Sequence, residues 1–231
     1  FTSEMETENP EEGSLGSAFI CTINGGDYLV TNDHVIQEAI INRGNDSKAA
    51  LTFTNGYGRQ LIITSPSYLK LDGPEKRLRL EEGKPVVPNS ELSYEPFDCG
   101  DLVLIPFSRD HLSLRPLRVA AQHPKLGETI YIYGNTRGQG FINEKEGIVN
   151  RIYDEAYIGL LSDAKKGNSG GPVLDANNNL LGVLSRGIPD TKYNEFIRLD
   201  KEQIDKWTRA GKFKKYSIPS TTLTNYTQDL L

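Results

Sequence analysis

The chain has 231 residues, of which 37% are hydrophobic and 25% are charged, so its composition is that of an ordinary globular protein. Its 26 basic and 31 acidic side chains give a formal net charge of −5, which argues against binding to nucleic acid phosphates. The longest apolar runs, such as 102–105, are far shorter than the roughly 18 to 20 residues that cross a bilayer. We therefore expect a globular protein of one or two domains, with no membrane span and no nucleic-acid partner.

The chain has few cysteines and histidines, which limits the residues that could act in catalysis or bind a metal. Cys21 and Cys99 are the only cysteines, too few for a disulfide-built scaffold, and their spacing matches no metal-binding motif. One disulfide and two reduced, buried thiols both remain open, whereas neither cysteine stands in a nucleophile context. The histidines His34, His111 and His123 are the candidates for any mechanism that needs an imidazole. We expect no cofactor and no metal site.

Residues 1–13 are rich in glutamate, lack basic side chains and show no apolar period, so we expect a flexible acidic arm. From residue 14 onward, short segments rich in β-branched and aromatic residues alternate with turn signals. This pattern predicts an all-β barrel or sandwich and not βαβ units. The predicted strands are 17–23, 27–31, 49–54, 60–64, 101–107, 129–133, 147–153, 157–161, 172–174, 180–185 and 194–199.

A long polar segment, 65–97, interrupts the predicted strands. Loops of this length are uncommon, so we expect a functional surface loop or a small added subdomain. After the last strand, Asp200 and Gln203 have the spacing of an N-cap and its capping-box partner, which predicts a helix through about Arg209, ended by Gly211. The predicted divisions are the arm 1–13, a first unit 14–110 that includes the long segment, a second unit 111–199, and a helix and tail 200–231.

The stretch 167–172 reads Gly-Asn-Ser-Gly-Gly-Pro and is the most informative part of the chain. Glycines on both sides of Ser169 let the backbone turn tightly and expose the hydroxyl. We expect the amides of Gly167 and Ser169 to point at one spot, where they would stabilise a developing oxyanion. A plain glycine-rich turn is the weaker interpretation, because predicted strands flank the stretch on both sides.

A serine hydroxyl is a weak nucleophile unless a base removes its proton, and that base needs a carboxylate to orient it. His34 follows an apolar strand, whereas His111 and His123 lie in polar loop sequence. Asp101 opens the next apolar run, where a carboxylate is shielded from water, and Asp98 is the alternative. We predict His34 as the base and Asp101 as its carboxylate.

The order His34, Asp101, Ser169, in the sequences LVTNDHVI, DLVL and GNSGGP, resembles the chymotrypsin/trypsin-like serine peptidases, and most of all their bacterial HtrA-like branch. The similarity covers about residues 14–210. The resemblance implies two packed six-stranded antiparallel β-barrels with the active site between them. It implies a serine endopeptidase that uses a Ser-His-Asp triad and an acyl-enzyme intermediate. Three further stretches support the HtrA-like branch, at 16–20, 127–135 and 146–149.

The resemblance also implies how a substrate binds. Ser185, Arg186 and Gly187 match the strand whose backbone pairs with an extended polypeptide, so that the substrate adds a strand to the sheet. Since few residues follow the predicted helix, we expect a member without the PDZ domain that better-known relatives carry. Family resemblance further implies a secreted or periplasmic location.

Two positions depart from the digestive trypsin pattern. Asn168 stands where those enzymes have an Asp that pairs with a new N-terminus, so we expect no activation by N-terminal insertion. Asp163, six residues before Ser169, matches the carboxylate that selects Lys or Arg in trypsin-like enzymes. It also matches a Thr-Asp-Ala sequence of the HtrA-like branch, in which the Asp has no such role. We favour the second match, with Asp163 turned away or paired with Arg186 and with a pocket for Val, Ala or Leu.

Two other functions stay open on the sequence. A catalytically idle trypsin-fold protein would use its crevice or the long segment 65–97 to bind a partner, but the presence of all three triad residues argues against it. A glutamyl-specific secreted peptidase of the same fold shares the sequence at 167–170. It differs only in its pocket, and no pocket histidine is evident here.

Overall fold

The structure is a computed structural model that describes residues 2–3, 16–36, 50–54, 60–64, 67–78, 80–81, 84–85, 94–106, 115–136, 142–152, 156–187 and 191–217. Within these ranges the chain is mostly β, with a helical turn at 33–36 and a helix at Lys201–Arg209. The strands are β1 (Thr2–Ser3), β2 (Gly16–Ser17), β3 (Phe19–Ile23), β4 (Gly26–Thr31), β5 (Ala50–Thr54), β6 (Gln60–Thr64), β7 (Ser67–Leu78), β8 (Leu80–Glu81), β9 (Lys84–Pro85), β10 (Tyr94–Pro106), β11 (Arg118–Val119), β12 (Thr129–Gly134), β13 (Asn143–Ile152), β14 (Tyr157–Ser162), β15 (Pro172–Leu174), β16 (Asn179–Gly187), β17 (Tyr193–Arg198) and β18 (Phe213–Ser217).

The second half of the chain forms a closed barrel. Strands β16, β15, β12, β13, β14 and β17 pair in this order, each antiparallel to the next, and β17 pairs back onto β16. Strand β11 adds to β16 in parallel. Apolar side chains that alternate along these strands point inward and fill the barrel, as a period of two requires. The all-β class predicted from the strand pattern is confirmed, together with a six-stranded antiparallel barrel.

The first half of the chain, together with β18 from the C-terminal end, forms a five-stranded and a four-stranded sheet. One has the order β18-β7-β10-β4-β3, and the other has the order β2-β1-β5-β6. The β3–β4 hairpin turns at Asn24 and Gly25, which both have positive φ, as a tight hairpin needs. The pairing of β4 with β10 sets Thr31, the last residue of β4, opposite Val103, which lies two residues after Asp101 in β10.

One apolar cluster joins the two halves. Its buried side chains come from β3, β4, β7 and β10 on one side and from β14, β15, β16, β17 and the helix on the other. Leu117 strengthens this junction, because its backbone bonds to Ile20 and Thr22 of β3. The junction is therefore packed and hydrogen-bonded, which holds the two halves in a fixed relation. The cluster includes Phe19, Val30, Leu71, Leu102, Leu104, Leu174, Val183, Ile197, Ile204 and Trp207.

The long segment 65–97 differs from the expected loop or subdomain. Most of its described residues form β7 and the first half of β10, which pair from Leu69 opposite Leu104 out to Leu78 opposite Tyr94. Prolines and charges indicated a loop, but a two-stranded ribbon has exposed edges that tolerate both. The segment is thus largely an extension of the sheet that carries Asp101.

The two ends of the chain also differ from expectation in part. Thr2–Ser3, predicted within a flexible arm, form β1 against β2 and β5, while 4–13 lies outside the described residues. The helix is confirmed: the Asp200 carboxylate accepts a hydrogen bond from the Gln203 amide, and Gly211 has a φ of 62° just after the helix. The polar tail predicted after it begins instead with β18, which pairs with β7.

No helix among the described residues is long and apolar enough to cross a membrane.

Candidate active site

Asp101 and His34 meet because their strands are neighbours. Asp101 lies in β10, and His34 lies in the helical turn that follows the paired strand β4. The Asn32 side chain, fully buried, donates from Nδ2 to the Asp101 carbonyl over 2.8 Å, which ties the end of β4 to β10. The Ile36 amide bonds the Asn32 carbonyl over 3.4 Å and closes the helical turn. These bonds hold the helical turn that carries His34 against β10.

The Asp101 carboxylate is a shielded acceptor for the His34 ring. Nδ1 of His34 lies 2.8 Å from Oδ2 and 3.0 Å from Oδ1, and the His34 backbone amide donates to Oδ1 over 3.0 Å. Ser185 donates from its hydroxyl to Oδ2 over 2.7 Å. The Asp101 side chain is 5% exposed and that of His34 is 39% exposed. Since a carboxylate accepts only, Nδ1 carries the proton and Nε2 of the neutral ring is left with a lone pair.

Ser169 lies in the loop between β14 and β15, where two glycines adopt positive φ. Gly167 has a φ of 95° and Gly170 a φ of 81°, a region that favours residues without a Cβ. The amides of Asn168, Gly170 and Gly171 each donate a backbone hydrogen bond. In the part of the chain that the structure describes, the amides of Gly167 and Ser169 donate no hydrogen bond. Two free donors therefore flank the Ser169 side chain.

Asn168, inside this loop, is completely buried. Its Oδ1 accepts a hydrogen bond from the Thr136 hydroxyl over 2.9 Å. Its Nδ2 has no hydrogen-bond partner among the described residues. A neutral side chain held by a threonine thus occupies the position where digestive trypsins have an Asp. That activation needs no N-terminal insertion stays a prediction.

Asp163 and Arg186 do not contact each other. The Asp163 side chain is 62% exposed and lies 3.4 Å from Nζ of Lys192, itself largely exposed. Arg186 instead pairs with Glu195, which is 3% exposed, at 2.6 Å from Nε to Oε2. Of the two alternatives expected for Asp163, the structure shows no pairing with Arg186, because the register of β16 against β17 places Glu195 opposite Arg186. Asp163 is instead exposed beside Lys192, and its lack of a role in the pocket stays a prediction.

The C-terminal end of β16 can pair with one more strand on the side that β15 occupies earlier in β16. Strand β15 pairs with β16 only as far as Val183, whereas β17 pairs with it as far as Gly187. Among the described residues no strand lies on the β15 side of Ser185 and Gly187. Asn194 lies against Gly187 from the β17 side, and its amide donates to the Ser162 carbonyl and hydroxyl and to the Lys192 carbonyl.

His123 and Cys21 make their hydrogen bonds away from Asp101, His34 and Ser169. His123 bonds the carbonyl of the adjacent Pro124, and His111 is outside the described residues. The sequence left open whether Cys21 and Cys99 form a disulfide. In the structure Cys21 is a free, buried thiol, so it is not part of a disulfide. Burial, with a smaller contribution from the Asp27 carboxylate, raises the pKa of the Cys21 thiol to about 12. In the described ranges no cluster of three or more His, Cys, Asp or Glu could hold a metal ion.

Sequence reasoning missed several contributors to the site. Ser17 bonds the Ser169 loop, and Asn32 bonds the Asp101 backbone. Ser185 was expected only in the substrate-binding strand, yet its hydroxyl is bound to Asp101. One signal in the sequence pointed to Ser17. The Gly-Ser-Ala stretch at 16–18 belongs to the sequence that resembles the HtrA-like branch, but the resemblance assigned Ser17 no role.

Comparison with known proteins decides the family. A model of the trypsin-like peptidase domain matches residues 16–183. The chain belongs to the trypsin-like peptidase family. This membership confirms the predicted trypsin-like fold and the class of enzyme, a serine endopeptidase. No curated protein matches the peptidase significantly.

Solved structures share the fold of the peptidase at low sequence identity. A serine endoprotease from Yersinia pestis matches with a TM-score of 0.55 and 19% identity, over 91% of this chain and 63% of that one. An inactive serine-to-alanine mutant of Rv3671c from M. tuberculosis H37Rv matches with a TM-score of 0.50 and 17% identity, over 84% of this chain and 80% of that one. The HtrA-type protease AlgW, as a variant with a decapeptide, matches with a TM-score of 0.50 and 19% identity, over 86% and 51%.

Proposed function

We propose that the peptidase cleaves peptide bonds through a triad of Ser169, His34 and Asp101, by way of an acyl-enzyme intermediate. The observation that carries the proposal is the buried Asp101 carboxylate, which binds Nδ1 of His34 while Ser185 binds the same oxygen. This arrangement orients the ring and leaves Nε2 as a base. It is the chemistry that a serine nucleophile requires.

The first half of the reaction follows from these groups. Nε2 of His34 takes the proton of the Ser169 hydroxyl as its oxygen attacks the carbonyl carbon of the scissile bond. The imidazolium that forms is stabilised by Asp101, whose carboxylate is 5% exposed and so little screened by water. His34 then gives the proton to the leaving amine, and the C–N bond breaks to leave an ester on Ser169.

The second half repeats the same steps with water. His34 removes a proton from water, hydroxide attacks the ester carbonyl, and the proton returns to the Ser169 oxygen as the acid product leaves. In both halves negative charge develops on the carbonyl oxygen. The unpaired amides of Gly167 and Ser169 are the donors proposed to bind that oxygen, and the loss of one such donor costs about 10² to 10³ in kcat.

Substrate is proposed to bind as an extended strand along β16. The β15 side of Ser185 and Gly187 gives the backbone groups for this pairing, while side chains along the peptide set specificity. With Asp163 exposed and next to Lys192, the favoured residue on the acyl side of the cut is small and aliphatic, such as Val, Ala or Leu. A secreted or periplasmic location follows from the HtrA-like resemblance and stays a prediction.

Hydrolysis of an unbiased peptide library tests this function. The wild-type chain should cleave it, Ser169→Ala should abolish cleavage, and Ser67→Ala, which alters a serine in β7, should retain it. Unchanged thermal unfolding would show that the Ser169 variant is folded. A folded wild-type protein that cleaves nothing would favour the idle binding protein, and turnover by Ser169→Ala would refute the nucleophile.

A further inference from the structure

The loop that carries Ser169 is held by a residue of the other half of the molecule. Ser17 of β2 is 2% exposed and makes hydrogen bonds through its amide, its carbonyl and its hydroxyl. We propose that Ser17 is a positioning residue for the oxyanion hole, whose amide and hydroxyl hold the Ser169 and Gly167 carbonyls and so fix the backbone of the loop that presents the Gly167 and Ser169 amides. The inference rests on the proposed function, since it names what keeps that site in its active geometry.

Ser17 binds the loop at two points. Its amide donates to the Ser169 carbonyl over 2.7 Å, and its hydroxyl donates to the Gly167 carbonyl over 2.8 Å. The same hydroxyl oxygen accepts a hydrogen bond from the Asn135 amide over 3.0 Å. Because Asn135 supplies a donor, the hydroxyl hydrogen is left to point at Gly167. The two carbonyls of the loop on either side of Asn168 are therefore turned toward Ser17.

Carbonyl directions fix amide directions, because a peptide group is planar and trans. The peptide from Gly167 to Asn168 is held at both ends, by Ser17 at the carbonyl and by the Lys165 carbonyl at the Asn168 amide, 3.1 Å away. In the next peptide the Asn168 carbonyl accepts from the Gly171 amide over 2.9 Å. The Ser169 amide, at the other end of that peptide, must then point away from the Gly171 amide. The Gly171 bond fixes this direction, and Ser17 acts on it through the neighbouring peptides.

The Ser17 hydroxyl holds the loop at Gly167, the position where the backbone itself is least restrained. Gly167 has no Cβ and a φ of 95°, so the peptides on its two sides rotate with little steric opposition. Within the described residues, the Ser17 hydroxyl is the donor that binds its carbonyl. Without that hydroxyl the peptide from Gly167 to Asn168 is held by one bond, from the Asn168 amide to Lys165, instead of two. Rotation at Gly167 becomes easier, and the Gly167 amide would be held less firmly.

Ser17 also connects the nucleophile loop to the strand of the base. The Thr31 hydroxyl donates to the Ser17 carbonyl over 2.8 Å, and Thr31 ends β4 three residues before His34. Gly170 approaches this point so closely that an added Cβ would lie 2.1 Å from the Ser17 carbonyl oxygen and 2.5 Å from Thr31 Oγ1. One buried residue thus links the loop that bears Ser169 to the end of the strand that leads to His34.

Kinetics of Ser17→Ala separate positioning from stability, because this change removes the hydroxyl and keeps the backbone bonds. We expect kcat to fall about 10- to 100-fold on a cleaved peptide, below the cost of losing a donor outright. KM should stay unchanged. Inhibition by a peptide aldehyde, which forms an oxyanion on Ser169, should weaken by the same factor as kcat. The acidic limb of the pH profile should not move, since the pair of His34 and Asp101 is untouched. Thr22→Ala, an exposed hydroxyl on the adjoining β3, is the control.

The outcomes are distinct. Unchanged kcat and aldehyde inhibition in folded Ser17→Ala would overturn the inference, as would a rise in KM alone or a loss of activity that only follows the unfolded fraction. If Ser17→Ala does not fold, Ser17→Cys, which fills the same space with a weak hydrogen-bonding group, should give the same kinetic pattern. A wild-type protein without activity would instead count against the proposed function, and Ser169→Ala on the same peptide identifies that case.

Discussion

Replacement of Asp101 by Asn tests the core of the site with almost no change in shape. Oδ1 of Asp101 accepts from the amide of His34, and Oδ2 accepts from the Ser185 hydroxyl, with Nδ1 of His34 within 3.0 Å of both oxygens. An amide offers one oxygen and two N–H donors in the same space. Because the His34 amide cannot accept a hydrogen bond, the oxygen of the new side chain must stay at the Oδ1 position.

The expected magnitude follows from where the new NH₂ then lies. It faces Nδ1 of His34 as a donor, so the ring proton moves to Nε2, and Nε2 can no longer take the proton of Ser169. The same change in a characterised Ser-His-Asp peptidase lowers kcat by about 10⁴. This factor corresponds to about 5.4 kcal/mol of transition-state stabilisation. KM should hardly change, because Asp101 has no part in the proposed substrate strand.

Steady-state kinetics and thermal unfolding of Asp101→Asn measure the effect. Asp98→Asn, in the same strand, and Asp163→Asn, an exposed carboxylate, are the matched controls and should retain activity. A loss of less than about tenfold for folded Asp101→Asn would refute the reasoning. A larger defect for Asp98→Asn would show that the carboxylate has been assigned to the wrong residue.

Three further predictions rest on single groups. Hydrolysis should fall at acidic pH, because a protonated His34 cannot accept the serine proton, and His123→Ala should leave the pH profile unchanged. In a Cys99→Ser variant, a thiol reagent should modify Cys21 only after unfolding, because burial raises its pKa to about 12 and the thiolate is the reactive form. Fast labelling of the native protein would contradict this. Asp163→Asn should leave the cleavage preference in a peptide library unchanged, whereas loss of a preference for Lys or Arg would assign Asp163 to the pocket.

Local pattern was enough to predict most strands and the helix. Strands such as β6, β15 and β17 were predicted to within about one residue, because alternation and turn residues act over a few neighbours. The helix start was predicted from the Asp200 cap for the same reason. Strand β7 was missed, because its proline and its charges are typical of loops and its strand character depends on pairing with β10.

The candidate triad was predictable because each residue lies in a short, recognisable stretch of sequence. The contacts that hold it were not, because they join residues far apart in the chain. Ser17 bonds Gly167 across 150 positions, and Ser185 bonds Asp101 across 84. Pairing of Arg186 with Glu195 was missed for a related reason, since it depends on the register of β16 against β17.

Mass-spectrometric mapping of a fluorophosphonate probe tests the central claim most directly. Its reaction requires an activated serine, a base that takes its proton and donors that bind the phosphonyl oxygen. We predict modification of Ser169 in the native protein and none in His34→Ala or in unfolded wild-type protein. Modification of a different serine, or no modification of the folded wild-type chain, would contradict the account.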